Sequence, residues 1–160
     1  MITCVCHPIR FLSKAVLALD LILWLIRLPV MLRIHTVSKL LKPLARSEQR
    51  RRKNVIELKD AVKIVTRICN LRPFRSRLFP KQCLRQSLSL YRTLIRLGYP
   101  VEIHFGVLKD DKSLHGHSWV TLQGEPLADT VRSGIFKVVY SYPSGRSRET
   151  LRNHPMVNKF

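Results

Sequence analysis

Three residue types that together form a nucleophilic catalytic set occur in the second half of this 160-residue chain, as Cys83, His117 and Asp129. A cysteine thiolate attacks a carbonyl carbon, a histidine moves the proton, and a carboxylate holds the imidazole in the productive orientation. The three residue types therefore predict acyl transfer through a thioester, provided that the fold brings them together.

Cys83 lies in the first turn of a predicted helix that begins just after Pro80 and ends at Gly98. The helix dipole and the unpaired backbone N–H groups of a first turn favour the thiolate, and they also bind an oxyanion. The backbone N–H of Cys83 is the first candidate for oxyanion binding, and the side-chain amide of Gln82 is the second. On this feature alone, a buried structural cysteine remains the alternative interpretation.

The segment HSWVTLQGEPLAD, residues 117–129, has the pattern of a β-hairpin. Strand alternation puts His117 and Trp119 on one face, so that the imidazole lies beside an aromatic wall. A three-residue loop centred on Gln123, with Gly124 in the left-handed conformation, pairs His117 with Asp129 across the strands, and a bulge would shift this pairing by one residue. Asp129 is therefore predicted to hold the imidazole N–H.

The remaining histidines and cysteines receive other predicted roles. His115 competes with His117 for the role of base, and His104 is predicted to lie at the surface or in packing. Cys69 falls on the apolar stripe of an earlier helix and is predicted to be a buried small hydrophobe. Because Cys4, Cys6 and the other two cysteines show no C-x-x-C spacing, neither a metal site nor a disulfide framework is predicted, and a reducing cytosol fits best.

The order of predicted elements is helix, helix, then antiparallel strands, which indicates an α+β fold. A peptidase-like domain is predicted over residues 54–142, with a capping box of Asn54 and Glu57 at its first helix. Residues 1–53 are predicted to be an N-terminal helical segment followed by a basic linker. Residues 143–160 are predicted to be a loose tail, and no cofactor is predicted.

The N-terminal segment contains an apolar run, Ala15 to Leu32, which Asp20, Arg27 and Pro29 interrupt. No small-residue cleavage site of a secretory signal follows it. A helix packed on the domain or on a partner is the favoured interpretation. A helix lying on a membrane surface is the second, and a membrane-spanning helix is the third, because two charges and a proline disfavour spanning.

The charge is strongly positive, with 29 Lys and Arg against 10 Asp and Glu and a net charge of +19. Such a charge favours nucleic acid, anionic lipid or an acidic peptide as a partner. A basic module that binds nucleic acid or membrane is therefore a rival function. Nucleic acid is disfavoured, because the arginines are scattered rather than interleaved with aromatic residues and no nucleic-acid motif is present.

Three segments, CLRQSLSLYRTLIRLGYP, VEIHFGV and HSWVTLQGEPLAD, resemble the B-type leader peptidases of lasso-peptide biosynthesis. These are transglutaminase-like, papain-related cysteine peptidases with Cys-Leu before a Ser-Leu-x-Leu helix, then His-Ala-Trp-Val and a glycine turn to Leu-x-Asp. The resemblance implies that Cys83 is the nucleophile, His117 the general base and Asp129 the orienting residue. The chain departs from the pattern at Ser118, where alanine is usual, and at Thr121, where an acidic residue is common.

The resemblance also implies a fold, a function and partners. The implied fold is a transglutaminase-like cysteine peptidase core, in which the helix bearing Cys83 packs on a small antiparallel sheet, with apolar N-terminal helices as in the separate B2 form. The implied function is removal of the leader peptide from a lasso precursor during antibiotic biosynthesis in the cytoplasm, with peripheral membrane contact as an alternative. Implied partners are the precursor, a B1-type leader-recognition protein and the lasso cyclase. Acyl transfer to an amine is the rival reaction, because it uses the same acyl-enzyme.

Overall fold

A computed structural model describes residues 6–46, 56–110, 113–128 and 135–143 of the chain. Its four α-helices are α1 (Cys6–Ile34), α2 (Val37–Arg46), α3 (Leu58–Cys69) and α4 (Gln82–Arg96). A short 3₁₀ helix, Arg72–Arg75, lies between α3 and α4. The four strands are β1 (Val101–Lys109), β2 (Leu114–Leu122), β3 (Glu125–Leu127) and β4 (Lys137–Tyr142). The predicted α+β class is confirmed.

The strands form one antiparallel sheet in the order β3-β2-β1-β4. In the ladder between β1 and β2, Ile103 pairs with Val120 and His104 pairs with Trp119. Because strand side chains alternate, Ile103 and Val120 share the face that packs into the core, whereas His104 and Trp119 share the opposite face. The sheet thus has an apolar face toward the helices and a face with histidine and aromatic side chains.

The turn between β2 and β3 is one residue shorter than predicted. Leu122 pairs with Glu125, so the loop consists of Gln123 and Gly124 alone, with φ angles of 53° and 88°. Two residues in the left-handed region are typical of a two-residue hairpin turn whose twist matches that of the strands. The predicted three-residue loop was wrong because it placed only the glycine in that region. The predicted partner of His117, Asp129, lies outside the described residues.

Helix α4 runs from Gln82 to Arg96, and Gly98 follows its C-cap residue Leu97 as the predicted helix stop. Gly98 has a φ of 84°, in the left-handed region that favours glycine. The N–H of Gly98 donates to the carbonyl of Ile95 at 3.0 Å, and the N–H of Tyr99 donates to the carbonyl of Leu94 at 2.9 Å. This pair of hydrogen bonds is the Schellman motif, which satisfies the last carbonyls of a helix.

The first helix of the domain begins later than the predicted capping box of Asn54 and Glu57 requires. Helix α3 begins at Leu58, and Glu57 is itself the N-cap residue, without a side-chain hydrogen bond to the first turn. Asn54 lies outside the described residues. The helix therefore starts later than the motif predicted, and its apolar face, rather than a capping side chain, anchors it to the core.

One face of the N-terminal apolar run is part of the hydrophobic core. Leu21, Trp24, Leu25 and Leu28 of α1 are buried in the same cluster as residues of α3, α4, β1 and β2. Helix α2 adds Leu41 to that cluster. The division of the chain into segments 1–53, 54–142 and 143–160 stays a prediction.

The acidic residue that interrupts the apolar run fastens α1 to α4. The carboxylate of Asp20 accepts two hydrogen bonds from Arg92, at 2.7 and 3.1 Å, and one from Arg96, at 2.6 Å. The Arg92 guanidinium also lies 4.8 Å from the ring centroid of Trp24. Burial raises the pKa of Asp20, but the hydrogen bonds from Arg92 and Arg96 outweigh that effect and lower the pKa to about 2. Asp20 is therefore an ionised anchor between the two helices.

Candidate active site

A cavity of about 270 Å³ lies where the first turns of α4 meet the middle of β2. Helix α4 and strand β2 form most of its wall, and the end of β3 closes one side. Its lining residues are Gln82, Cys83, Gln86, Ser87, Leu90, His117, Ser118, Trp119, Val120, Leu127 and Ala128. The predicted nucleophile, the predicted base and the candidate oxyanion residue Gln82 therefore share one cavity.

Cys83 is the second residue of α4 and is partly exposed to the cavity. The start of α4 is held by Arg85, whose side chain is only 2% exposed. Its guanidinium donates hydrogen bonds to the carbonyls of Phe74 and, at 3.2 Å, of Pro80. The loop before α4 is thus tied to the first turn, and the position of Cys83 is well defined.

Arg85 also brings positive charge to the buried side of the first turn. Burial lowers the pKa of Arg85. A guanidinium keeps its proton at neutral pH even when it is buried. The charge on Arg85 and the first-turn N–H groups therefore both place positive potential beside the Cys83 side chain.

His117 has the aromatic wall that the strand pattern predicted. Its ring stacks on Trp119, with the ring centroids 5.8 Å apart and the planes at 17°. The ring centroid of Phe136 lies 5.0 Å from that of His117. Gly106 pairs with His117 across the sheet, and a Cβ there would lie 2.9 Å from both Phe136 and the Trp119 ring. The missing side chain at Gly106 leaves the space that Trp119 fills.

The cavity opens over one edge of β2. Ser118 points toward α4, where its hydroxyl lies 2.9 Å from that of Ser87, whereas His117 belongs to the opposite face of the strand. Strand β3 pairs only with residues 120–122 of β2, so within the described residues it does not cover the strand at His117. Residues from both faces of β2 line the cavity. His117 therefore lies on the same cavity as the start of α4 at this uncovered edge of β2.

Two glutamine side chains of α4 have defined partners beside Cys83. The Gln82 side-chain amide donates to the Oδ1 atom of Asn70 at 2.9 Å, which uses one of its two N–H groups. The Gln86 amide donates to the carbonyl of Ala128 at 3.2 Å. Ala128 has a φ of 54°, in the left-handed region that alanine rarely adopts.

Sequence reasoning missed Gln86, Ser87 and Gly106. The signals for all three were available, because residues three and four positions after Cys83 lie on the same side of a helix. A glycine inside a strand likewise indicates a close approach by another group. The lasso leader peptidases usually have alanine at the position of Ser118. The hydroxyl contact with Ser87 explains how this chain accommodates a serine there.

The other candidates lie away from the cavity. His115 is exposed, with its Nε2 atom 2.6 Å from the hydroxyl of Ser113, and does not line the cavity. His104 is in packing rather than at the surface, since its ring nitrogens contact the hydroxyls of Ser141 and Thr121 at 2.9 and 2.8 Å. Cys69 is fully buried, as predicted, and burial raises its pKa to about 11. Cys4 lies outside the described residues.

Residues 22–141 match the family model of the transglutaminase-like superfamily. The match runs from the middle of α1 to β4 and includes the whole cavity. The searches of curated proteins and of solved structures returned no match.

Proposed function

The chain belongs to the transglutaminase-like superfamily, and we propose that it is a cysteine peptidase that removes the leader peptide from a lasso-peptide precursor. Enzymes of this superfamily generally depend on a catalytic cysteine. The observation that carries the proposal is that Cys83, at the start of α4, and His117, on β2, line the same cavity. The finer activity rests on the resemblance of the helix, strand and hairpin motifs to the lasso leader peptidases.

In the proposed reaction, His117 takes the proton of the Cys83 thiol, and the resulting thiolate attacks the carbonyl carbon of the bond between leader and core peptide. The developing oxyanion is stabilised by the backbone N–H of Cys83 and by the second N–H of the Gln82 amide. His117 then donates a proton to the leaving amine, which departs with the core peptide. The leader remains attached to Cys83 as a thioester.

Deacylation uses the same groups in the opposite sense. His117 takes a proton from water, the resulting hydroxide attacks the thioester, and Cys83 leaves as a thiolate. Asp129 is proposed to orient the His117 ring throughout the cycle. An amine in place of water would give a transglutaminase-type product from the same acyl-enzyme.

The proposed partners are the precursor peptide and a B1-type leader-recognition protein, with the lasso cyclase acting after cleavage. The net charge of +19 supports an acidic peptide as substrate, because long-range attraction raises the rate of encounter. We expect slow cleavage without the recognition protein, and slower cleavage as salt rises.

The experiment that tests the catalytic set is cleavage of the cognate precursor by His117→Ala, His115→Ala and Asp129→Asn. We expect His117→Ala to lose activity by more than about a thousandfold and Asp129→Asn to lose somewhat less. His115→Ala serves as the matched control, because this exposed histidine lies on the same strand, outside the cavity. An inactive His115→Ala together with an active His117→Ala would reverse the assignment of the base.

The reaction type is tested by product mass, with the recognition protein present and with an added primary amine. Free leader acid is the expected product, whereas a leader amide as the main product would establish acyl transfer. The enzyme in this assay is active-site-titrated and its recognition protein is present. If the precursor then stays intact, the assignment to lasso-peptide maturation is wrong, whereas membership of the transglutaminase-like superfamily is unaffected.

A further inference from the structure

Helix α1 carries a second apolar face that no other described part of the chain covers. This face, the α1 stripe, consists of residues that are between 53% and 70% exposed and are spaced three or four positions apart: Val16, Leu19, Leu23, Ile26, Val30 and Ile34. At 100° per residue, the stripe lies opposite the side of α1 that is buried in the core. Helix α1 is therefore apolar on two opposite sides, and only one of them is buried.

The buried side prevents α1 from acting as a membrane span. The segment Lys14–Ile34 has 21 residues and a mean hydropathy of 2.2, which by length and composition alone is enough to cross a bilayer. Crossing would separate Leu21, Leu25 and Leu28 from the core. It would also break the ion pairs between Asp20 and α4. The helix can instead remain packed on the domain and lie along a surface.

The rim of the α1 stripe carries net positive charge. Arg27 and Arg33, both exposed, fall on opposite edges of the stripe at 100° per residue. Lys39 and Lys42 are exposed on the helix that follows. Asp20 is the only carboxylate in residues 6–46 of the sequence, and Arg92 and Arg96 hold it.

The sequence adds further positive charge after α2, where residues 50–53 read RRRK. Clusters of Lys and Arg beside an apolar helix are typical of proteins that bind anionic lipid. The stripe itself is purely aliphatic, without the tryptophan or tyrosine anchors that dominate protein interfaces. An aliphatic face with a net cationic rim matches the acyl region and the charged headgroups of an anionic bilayer.

We propose that the α1 stripe docks this protein on an anionic membrane surface, with α1 parallel to that surface. The aliphatic side chains enter the boundary between headgroups and acyl chains, and Arg27 and Arg33 extend along the rim to the phosphates. This inference rests on the packing of α1 and is independent of the proposed peptidase activity.

The test is flotation of the full chain with vesicles of phosphatidylcholine alone and with vesicles containing 30% phosphatidylglycerol, as a probe of about physiological anionic content. The stripe variant is Leu23→Gln with Ile26→Gln. The matched control is Leu78→Gln with Val139→Gln, two residues that are 73% and 59% exposed elsewhere in the chain. We expect the wild type and the control to float with anionic vesicles, and the stripe variant to bind at least about tenfold more weakly.

Equal flotation of the stripe variant and the wild type would overturn the proposal, as would failure of the wild type to float with anionic vesicles. A wild-type oligomer that the stripe variant turns into a monomer, without vesicle binding, would assign the stripe to a second copy and also overturn it. Flotation with neutral vesicles that is as strong as with anionic ones would contradict the role of the rim. The stripe variant should cleave a soluble precursor at the wild-type rate, which separates this proposal from the peptidase assignment.

Discussion

The side-chain amide of Gln86 donates a hydrogen bond to the carbonyl of Ala128, at 3.2 Å, and so joins α4 to the end of the hairpin. Ala128 is held in the left-handed region, with a φ of 54°. It directly precedes Asp129, the proposed orienting acid. We therefore propose that Gln86 positions the chain that leads into Asp129, because its amide holds the carbonyl of Ala128.

Replacing Gln86 with glutamate keeps the size of the side chain, but it removes the donor and places a carboxylate against a carbonyl oxygen. We expect kcat for precursor cleavage to fall by about ten- to a hundredfold, with KM nearly unchanged, because the bond supports geometry rather than substrate binding. Gln123→Glu, which adds the same charge in the exposed hairpin turn, controls for charge. A Gln86→Glu enzyme with wild-type kcat would show that the bond to Ala128 has no role in catalysis.

The buried histidine His104 predicts a loss of stability in mild acid. Burial lowers its pKa from the ordinary 6.5, and Glu102, 3.9 Å away, opposes that shift. Its other neighbours are the hydroxyls of Thr121 and Ser141 and the ring of Trp119, none of which carries charge. The folded state therefore binds fewer protons than the unfolded chain below pH 6.5.

The contribution of neutral His104 to the free energy of unfolding is fully present above about pH 6.5. It is lost as pH falls toward the folded pKa of His104. Urea unfolding between pH 8 and pH 5 should show a steeper fall in the free energy of unfolding for the wild type than for His104→Gln. Parallel curves for the two proteins would mean that another group governs this range of pH.

The ion pairs of Asp20 with Arg92 and Arg96 hold α1 against α4, so their loss should lower the free energy of unfolding. Asp20→Asn should lower the free energy of unfolding at pH 7 by about 1–3 kcal/mol, because it leaves the half-buried Arg92 without its charged partner. Asp60→Asn is the matched control. Its ion pair with Lys14 is equally short, at 2.7 Å, but more exposed, so its loss should cost less than about 1 kcal/mol.

The pH dependence of the Asp20 effect has a defined sign. The folded pKa of about 2 lies below the ordinary value of 3.8, so the stabilisation is present above about pH 4 and is lost as pH falls toward 2. The difference between the wild type and Asp20→Asn should therefore narrow below pH 4. A difference of the same size at pH 7 and pH 3 would contradict the charged anchor.

Features that depend on local chain chemistry were predictable from the sequence. The end of α4 followed from Gly98, and the shared face of His117 and Trp119 followed from strand alternation. The presence of Cys83 in the first turn followed from the helix start signal. Each of these needs only residues within one element.

Features that depend on distant contacts were not predictable. Gln86 and Ala128 are 42 positions apart in the sequence, and Asp20 and Arg92 are 72 positions apart. No local sequence pattern predicts hydrogen bonds between residues so far apart. In the sequence Asp20 only interrupts an apolar run, whereas in the fold it is the anchor of that run. The shorter hairpin turn was missed because Gln123 has a φ of 53°, in the left-handed region that glutamine does not favour. Pairing of the two strands, rather than the local sequence, decides this conformation.

Single-turnover cleavage with the leader-recognition protein present decides whether Cys83 attacks the precursor. The comparison is between Cys83→Ala and Cys69→Ala, which remove the same thiol from the cavity and from the core. Cys69→Ala should cleave at the wild-type rate and lose at most a few kcal/mol of stability. Cys83→Ala should stay folded and leave the precursor intact. Near-normal cleavage by Cys83→Ala would contradict the assignment of the nucleophile, and with it the mechanism built on the cavity.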